Sequence, residues 1–168
     1  MFSEDEAAEI TRTIGVSSVL YNDLKQSRIK NISFNWDAMF NTQSGSAIYL
    51  QYTHVRIMSI IGKLNQRKIT HNTNSMNIFS ADIEYKIVKK LMFFPSIIID
   101  AQKSDSPHVI CGYLEEVAML FNSFYQEINI LTTKDINLKN SRISLIKAVA
   151  TVIKNGLTLL NIKIPSKM

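Results

Sequence analysis

The stretch Gly45–Ile61, reading GSAIYLQYTHVRIMSII, constrains this chain more than any other. At helical spacing it carries two apolar stripes. Ile48, Tyr52 and Val55 form one; Leu50, Ile57 and Ile61 form the other, with His54 lying between its turns. A helix apolar on nearly all sides is predicted to be buried among other helices. Gln51 and Arg56 break the apolar pattern, and a buried guanidinium needs a partner. Tyr49, Tyr52 and His54 put three hydrogen-bonding rings within a short span, more than packing requires. On pattern alone they belong to a core helix and are satisfied locally.

The rest of the chain reads as further helices, and no strand pattern of any length occurs, so the expected class is all-α. Ser3 is placed to cap a first helix whose opening turn holds Glu4, Asp5 and Glu6. Gly15 is expected to end it, with a short second helix following through Val16, Val19, Leu20 and Leu24. Lys30–Phe34 reads as extended, Asn35–Phe40 as a turn of helix, and Asn41–Ser44 as a polar loop closed by Gly45. The polar stretch Leu64–Ser80 reads as a loop or frayed helix end, unless Gly62–Lys68 prolongs the long helix. Ser80 is expected to cap a helix over Ala81–Phe94, and Pro95 to start another over Ser96–Gln102. Pro107 opens Pro107–Asn129, whose Ile110, Leu114, Val117, Phe121 and Phe124 share a broad apolar face. Asp135–Lys139 is taken as a linker before a last helix over Asn140–Leu160. On a wheel, Lys139, Arg142, Lys147 and Lys154 fall within one arc of about 140°.

Charge distribution narrows the partner class. Net charge is +5 over 168 residues. Bases dominate from Leu24 to Lys68 and again after Glu127, while the first turn is acidic. Two basic regions around a neutral middle suit a polyanion, although a solvated surface would carry the same lysines. At 46% hydrophobic residues the chain can bury a core. No apolar run approaches the length of a membrane span: Leu91–Ile99 is interrupted by Pro95, and Leu157–Ile164 by Asn161 and Lys163. One cysteine, Cys111, excludes an internal disulfide, and its apolar neighbours argue for a buried, inert thiol. The acidic start MFSEDEAAEI is neither a secretory signal nor an Arg-rich transit peptide.

Tyr49-Leu50-Gln51-Tyr52-Thr53-His54-Val55-Arg56-Ile57, followed by Ser59-Ile60, resembles the YLQY-[AT]-H-x-R-[IL]-x-S-[IL] signature of arginine–tRNA ligases. The resemblance extends along the chain. Gly15–Leu24 is similar to the family's G-[IV]-G-A-[IV]-x-Y-x-D-L, with Ser17-Ser18 replacing Gly-Ala and Leu20 standing where lysine is common. Phe34–Met39 resembles F-[DNS]-W-D-x-[MV]; Phe94–Ile98 resembles F-P-E-V-[VI]; Pro107–Leu114 resembles P-[HS]-x-[IL]-x-x-Y-L. Phe121–Tyr125 matches F-x-x-F-Y, Arg142–Val149 matches R-L-x-L-[VIF]-x-A-V, and Asn155–Ile162 is similar to N-G-[LM]-x-[LI]-L-G-[IL]. Lys167-Met168 matches the family's habit of ending in methionine, and QYTH in place of QYAH looks like the organellar branch.

The resemblance implies a helical bundle of the class I synthetase anticodon-binding type over 45–168, with 1–44 as connecting helices at the tail end of the catalytic region. It implies arginine tRNA as partner, a monomer, no membrane, and a mitochondrial or otherwise cytoplasmic compartment. Tyr49 or Tyr52, Tyr125 and Met168 would face the anticodon loop, and Arg56, Arg142, Lys147 and Asn155 complete the candidate tRNA-binding set. Tyr52 reads equally well as core, and the helix-breaking Asn155-Gly156 signals close packing or close approach of a ligand. The family's ATP-binding H-[IV]-G-H and its K-M-S-K-like loop do not occur. His54, His71 and His108 are isolated, no phosphate cradle or metal cluster replaces those motifs, and Glu115-Glu116 reads as a solvated acidic face. The chain alone is therefore expected to bind no ATP cofactor and to form no aminoacyl bond. A free-standing tRNA adaptor and a purely structural bundle are the alternatives.

Overall fold

The computed structural model describes residues 3–31, 34–66 and 78–168. Among them are seven α-helices and one 3-10 turn, with no strand. Helix α1, Glu4–Leu24, opens on a capping box: Ser3 Oγ accepts from Glu6 N, and Glu6 returns its carboxylate to Ser3 N. The expected break at Gly15 does not occur. One interior glycine costs only about 1 kcal/mol, and the helix beyond it buries Ser17, Ser18, Tyr21 and Asn22. Tyr21 reaches the core shared by the later helices and donates to Glu115 Oε1 at 2.6 Å.

Helix α2, Trp36–Met39, is a single turn capped by Asn35. Gly45 then turns the chain at φ +94°, a conformation open to glycine. Lys25 Nζ holds its carbonyl at 2.8 Å, and Ser46 Oγ accepts from Tyr49 N to start α3, Ala47–Gln66. The helix thus runs past Ile61, as the extension reading required. Residues 67–77, most of the polar loop, lie outside the described residues.

Helix α4 is Asp82–Met92 and α5 is Phe94–Lys103, with Pro95 in its first turn. Ser80 does not cap α4. Glu84 does so from inside the helix, its Oε2 accepting from Ser80 N and Ala81 N, both at 2.8 Å. Helix α6, His108–Glu127, leads through a 3-10 turn at Ile130–Thr132 into α7, Ile136–Leu159. The expected linker Asp135–Lys139 is the first turn of α7, because Asp135 accepts from Asn137 N and Leu138 N.

The core lies where α3, α6 and α7 pack on one another, with α1, α4 and α5 around them. Leu50 and Ile57 of α3, Leu114, Phe121 and Phe124 of α6, and Ile146, Ile153 and Leu157 of α7 have essentially no exposure. The two stripes of α3 part company. Leu50 and Ile57 point inward, joined by Thr53, Ile60 and Leu64, whereas Tyr52 on the other stripe is 44% exposed. The basic arc of α7 also divides: Lys147 and Lys154 are exposed, but Arg142 is buried. The Glu115-Glu116 pair is not simply a solvated face, since Glu115 holds Tyr21 and Glu116 pairs with Lys90.

After α7 the chain reverses in a Schellman turn. Asn161 takes φ +56°, its N–H reaching Thr158 O while Ile162 N bonds Leu157 O at 2.8 Å. The following segment crosses α1 and α3, where Lys163 O accepts from Gln51 Nε2 at 2.7 Å and from Ser17 Oγ. This strap sets the position of residues 166–168.

Candidate nucleic-acid interface

Tyr52 and Arg56 lie one helical turn apart on the outward face of α3, and Tyr125 faces them from the last turn of α6. The Arg56 guanidinium carbon sits 4.6 Å from the Tyr52 ring centre and 5.1 Å from that of Tyr125. A cation held against two aromatic faces is attracted by both rings, and the Tyr125 ring in turn stacks on Phe121 at 6.2 Å. Both tyrosines remain 44% exposed. They open onto a groove of about 660 Å³, lined also by Met58, Lys63, Lys167 and Met168. Arg56, Lys63 and Lys167 give the lining three cationic side chains and no Asp or Glu.

Arg56 is held by Asn122, whose Oδ1 accepts from Arg56 Nη1 at 2.9 Å. Asn122 Nδ2 donates to Tyr49 Oη at 2.9 Å and to Thr53 Oγ1 at 3.2 Å. The partner that a guanidinium in this helix needs is thus a neutral amide, which leaves the cation's charge uncompensated toward the groove. Tyr49 belongs to this inner network and packs against the core, so the two tyrosines of the motif divide the work. Sequence reading missed Asn122 and Lys63. The signal for Asn122 was a lone amide inside Phe121-Asn122-Ser123-Phe124-Tyr125, one turn before Tyr125.

Four of the candidate residues meet here: Tyr52, Arg56, Tyr125 and Met168. The others do not line the groove. Arg142 Nε bonds Glu84 Oε1 at 2.6 Å, Nη1 reaches Thr133 Oγ1 and Nη2 reaches Ser80 Oγ. Buried with its donors engaged, it ties α7 to the start of α4. Lys147 and Asn155 are exposed on α7. Close packing accounts for the glycine after Asn155: a Cβ on Gly156 would stand 2.6 Å from Leu114 Cδ2. His54 stays outside the groove; burial, with a contribution from Lys154, holds its imidazole below the usual range. Cys111 is buried, and burial pushes its thiol up to about 12, as an inert core thiol requires.

A family model for the DALR anticodon binding domain matches residues 50–168. The chain belongs to that family. The arginine–tRNA ligase of Alkaliphilus metalliredigens is 35% identical over 160 residues, covering 95% of this chain and 28% of the ligase. That of Thermococcus kodakarensis is 36% identical over 172 residues, covering 99% and 26%. In structure, the arginyl-tRNA synthetase of Plasmodium falciparum superimposes with a TM-score of 0.80 at 26% identity, over 95% of this chain and 28% of that one. The Thermus thermophilus arginyl-tRNA synthetase has a TM-score of 0.84 over 95% of this chain and 27% of that one; at 24% identity it shows the shared fold. The chain therefore spans little more than a quarter of the ligases it matches. Within this DALR domain, the groove joins the YLQY helix, the F-x-x-F-Y helix and the segment after α7.

Proposed function

We propose that this DALR domain binds the anticodon loop of arginine tRNA in the groove between α3, α6 and residues 166–168, as the tRNA-holding portion of an arginine–tRNA ligase. The observation that carries the reading is the Tyr52–Arg56–Tyr125 cluster, open to solvent and with no Asp or Glu in its lining. Unpaired bases bind by stacking on aromatic rings and guanidinium planes, while cations hold the phosphates between them. Met168 adds a soft apolar contact at the groove edge. Binding to arginine tRNA should exceed binding to the same tRNA with a substituted anticodon. Affinity should also fall steeply from low to moderate salt as counterions are released. Equal affinity for both tRNAs would overturn anticodon recognition, and salt-independent binding would count against the phosphate contacts.

The same reading assigns ATP chemistry to the family's catalytic region. The H-[IV]-G-H and K-M-S-K-like motifs that bind ATP there have no counterpart in this sequence. Arginine-dependent ATP–pyrophosphate exchange by the purified chain would contradict this. The chain acts as a monomer toward one tRNA, which sedimentation of the complex tests. Thr53 in the QYTH motif supports the organellar branch and a mitochondrial compartment, which cell fractionation tests.

A further inference from the structure

Two sulfur atoms stand at the groove whose redox chemistry RNA binding does not use. Met58 on α3 and Met168 at the end of the strap both line it, and they are 47% and 36% exposed. A side chain on a helix covers the turn before its own, and the residue one turn after Met58 is Gly62. The space where a Gly62 side chain would stand is empty, so that turn offers nothing to cover the Met58 thioether.

The other described sulfurs are placed differently. Met92 and Met119 are 75% and 44% exposed but lie outside the groove. Met39 is buried and anchors α2 in the interior. Cys111 is buried as well, and that burial keeps it a thiol, whereas oxidants attack the thiolate. A peroxide meeting the folded chain therefore finds open thioethers and a closed thiol.

We infer that Met58 and Met168 are paired oxidation sites, and that their conversion to sulfoxides weakens polyanion binding in the groove. Hydrogen peroxide gives one oxygen to each sulfur: the sulfur lone pair forms the S–O bond as the O–O bond breaks, and the peroxide leaves as water. Each sulfur loses two electrons. A sulfoxide reductase reverses the step with two thiols, which end as a disulfide while the oxygen leaves as water. Oxidation makes a flexible apolar side chain polar and chiral, which removes its soft contact with an aromatic ring. The new oxygen is also a hydrogen-bond acceptor in a lining whose cationic donors are Arg56, Lys63 and Lys167. Bonds to that oxygen withdraw those donors from a phosphate. The effect on binding rests on the anticodon-loop reading; the modification itself does not.

The test treats the full chain with dilute hydrogen peroxide and maps the added oxygen by mass spectrometry of its peptides. Met58 and Met168 should be oxidised together with Met92 and Met119, and Met39 should be spared. Fluorescence anisotropy then reads binding of a hairpin carrying the anticodon loop of an arginine tRNA, before and after treatment of each protein. Oxidation should weaken the parent roughly 2- to 12-fold for each groove methionine. Treatment with methionine sulfoxide reductases of both epimer specificities should restore it. Met58→Leu combined with Met168→Leu, a change of similar volume, should bind equally before and after peroxide. Met92→Leu combined with Met119→Leu should lose as much as the parent. Unoxidised Met58 and Met168 beside oxidised Met92 and Met119 would overturn the two sites. Undiminished binding by the oxidised parent, or an equal loss in the groove double variant, would overturn their effect. Failure of the untreated chain to bind the hairpin would overturn the anticodon-loop reading and that effect together, while the peptide map decides the two sites by itself.

Discussion

Phe124 and Tyr125 are consecutive on α6 and point in different directions: the first has no exposed surface, while the second is 44% exposed. Tyr125→Ala should therefore lose roughly 1–3 kcal/mol of RNA binding with little change in melting. Phe124→Ala should cost roughly 3–5 kcal/mol of stability by opening a cavity. Thermal melting and tRNA binding of both variants check the pair; a Tyr125→Ala protein that melts early and binds normally when folded would make Tyr125 core. Arg142 presents the opposite case, a cation with an interior role. Its ion pair with Glu84 is buried on both sides, and Glu84 also caps α4. Arg142→Ala strands that carboxylate and should cost about 3–5 kcal/mol. Chemical denaturation measures the loss, and a stability within about 1 kcal/mol of the parent would show the pair to be dispensable.

At the scale of elements, α6 and α7 approach closely because Gly156 has no side chain. Leu114, which would meet an added Cβ, is itself fully buried and has little room to move. Gly156→Ala gains helix propensity of about 1 kcal/mol but overpacks this contact, at a cost of roughly 1–3 kcal/mol. We expect net destabilisation, relieved when Leu114→Val is added; a more stable single variant would show that Leu114 can yield. The strap after α7 depends on the left-handed Asn161, where alanine should cost about 1–2 kcal/mol. Because that turn directs residues 163–168 across α1 and α3, Asn161→Ala should also weaken tRNA binding through Met168 and Lys167. Unchanged binding at full folding would uncouple the strap from the groove.

For the molecule as a whole, pH sensitivity follows from what the bundle buries. Burial, reinforced by Glu115, raises the Tyr21 hydroxyl well above its usual range; burial also pushes Cys111 and Tyr113 up to about 12. Each group is held neutral in the folded chain and ionises more readily once unfolded. Their contribution is complete below the unfolded values, about 8.5 for thiol and 10 for phenol, and is lost as pH rises through the folded ones. Stability should therefore fall progressively above about pH 9. His54 acts at the other end: its lowered value means the unfolded chain takes the proton first, so stability should decline as pH drops below about 6.5. Melting curves across pH test both limits, with Tyr21→Phe expected to flatten the alkaline side and His54→Gln the acidic side.

Helix identity and the motif content were legible in the sequence, because periodicity, Ser3, Asn35, Pro95 and Pro107 act locally on their own turns. The fold class and the DALR family followed from those local signals and from the wording of α3, α6 and α7. Helix boundaries failed where a distant or unexpected side chain intervened: α1 continues through Gly15 because its far half reaches the core, and Glu84 replaces Ser80 as the cap of α4. A helical wheel also put Arg142 and Lys147 in one arc, yet only packing against α4 decides that one is interior and the other wet. The same holds for the groove. Each of Tyr52, Arg56, Tyr125 and Met168 is visible in the sequence, but their meeting depends on how α3 crosses α6 and on the strap that turns at Asn161. Local chemistry fixes which turn a residue occupies; which solvent or partner its side chain meets is set by helices far away along the chain.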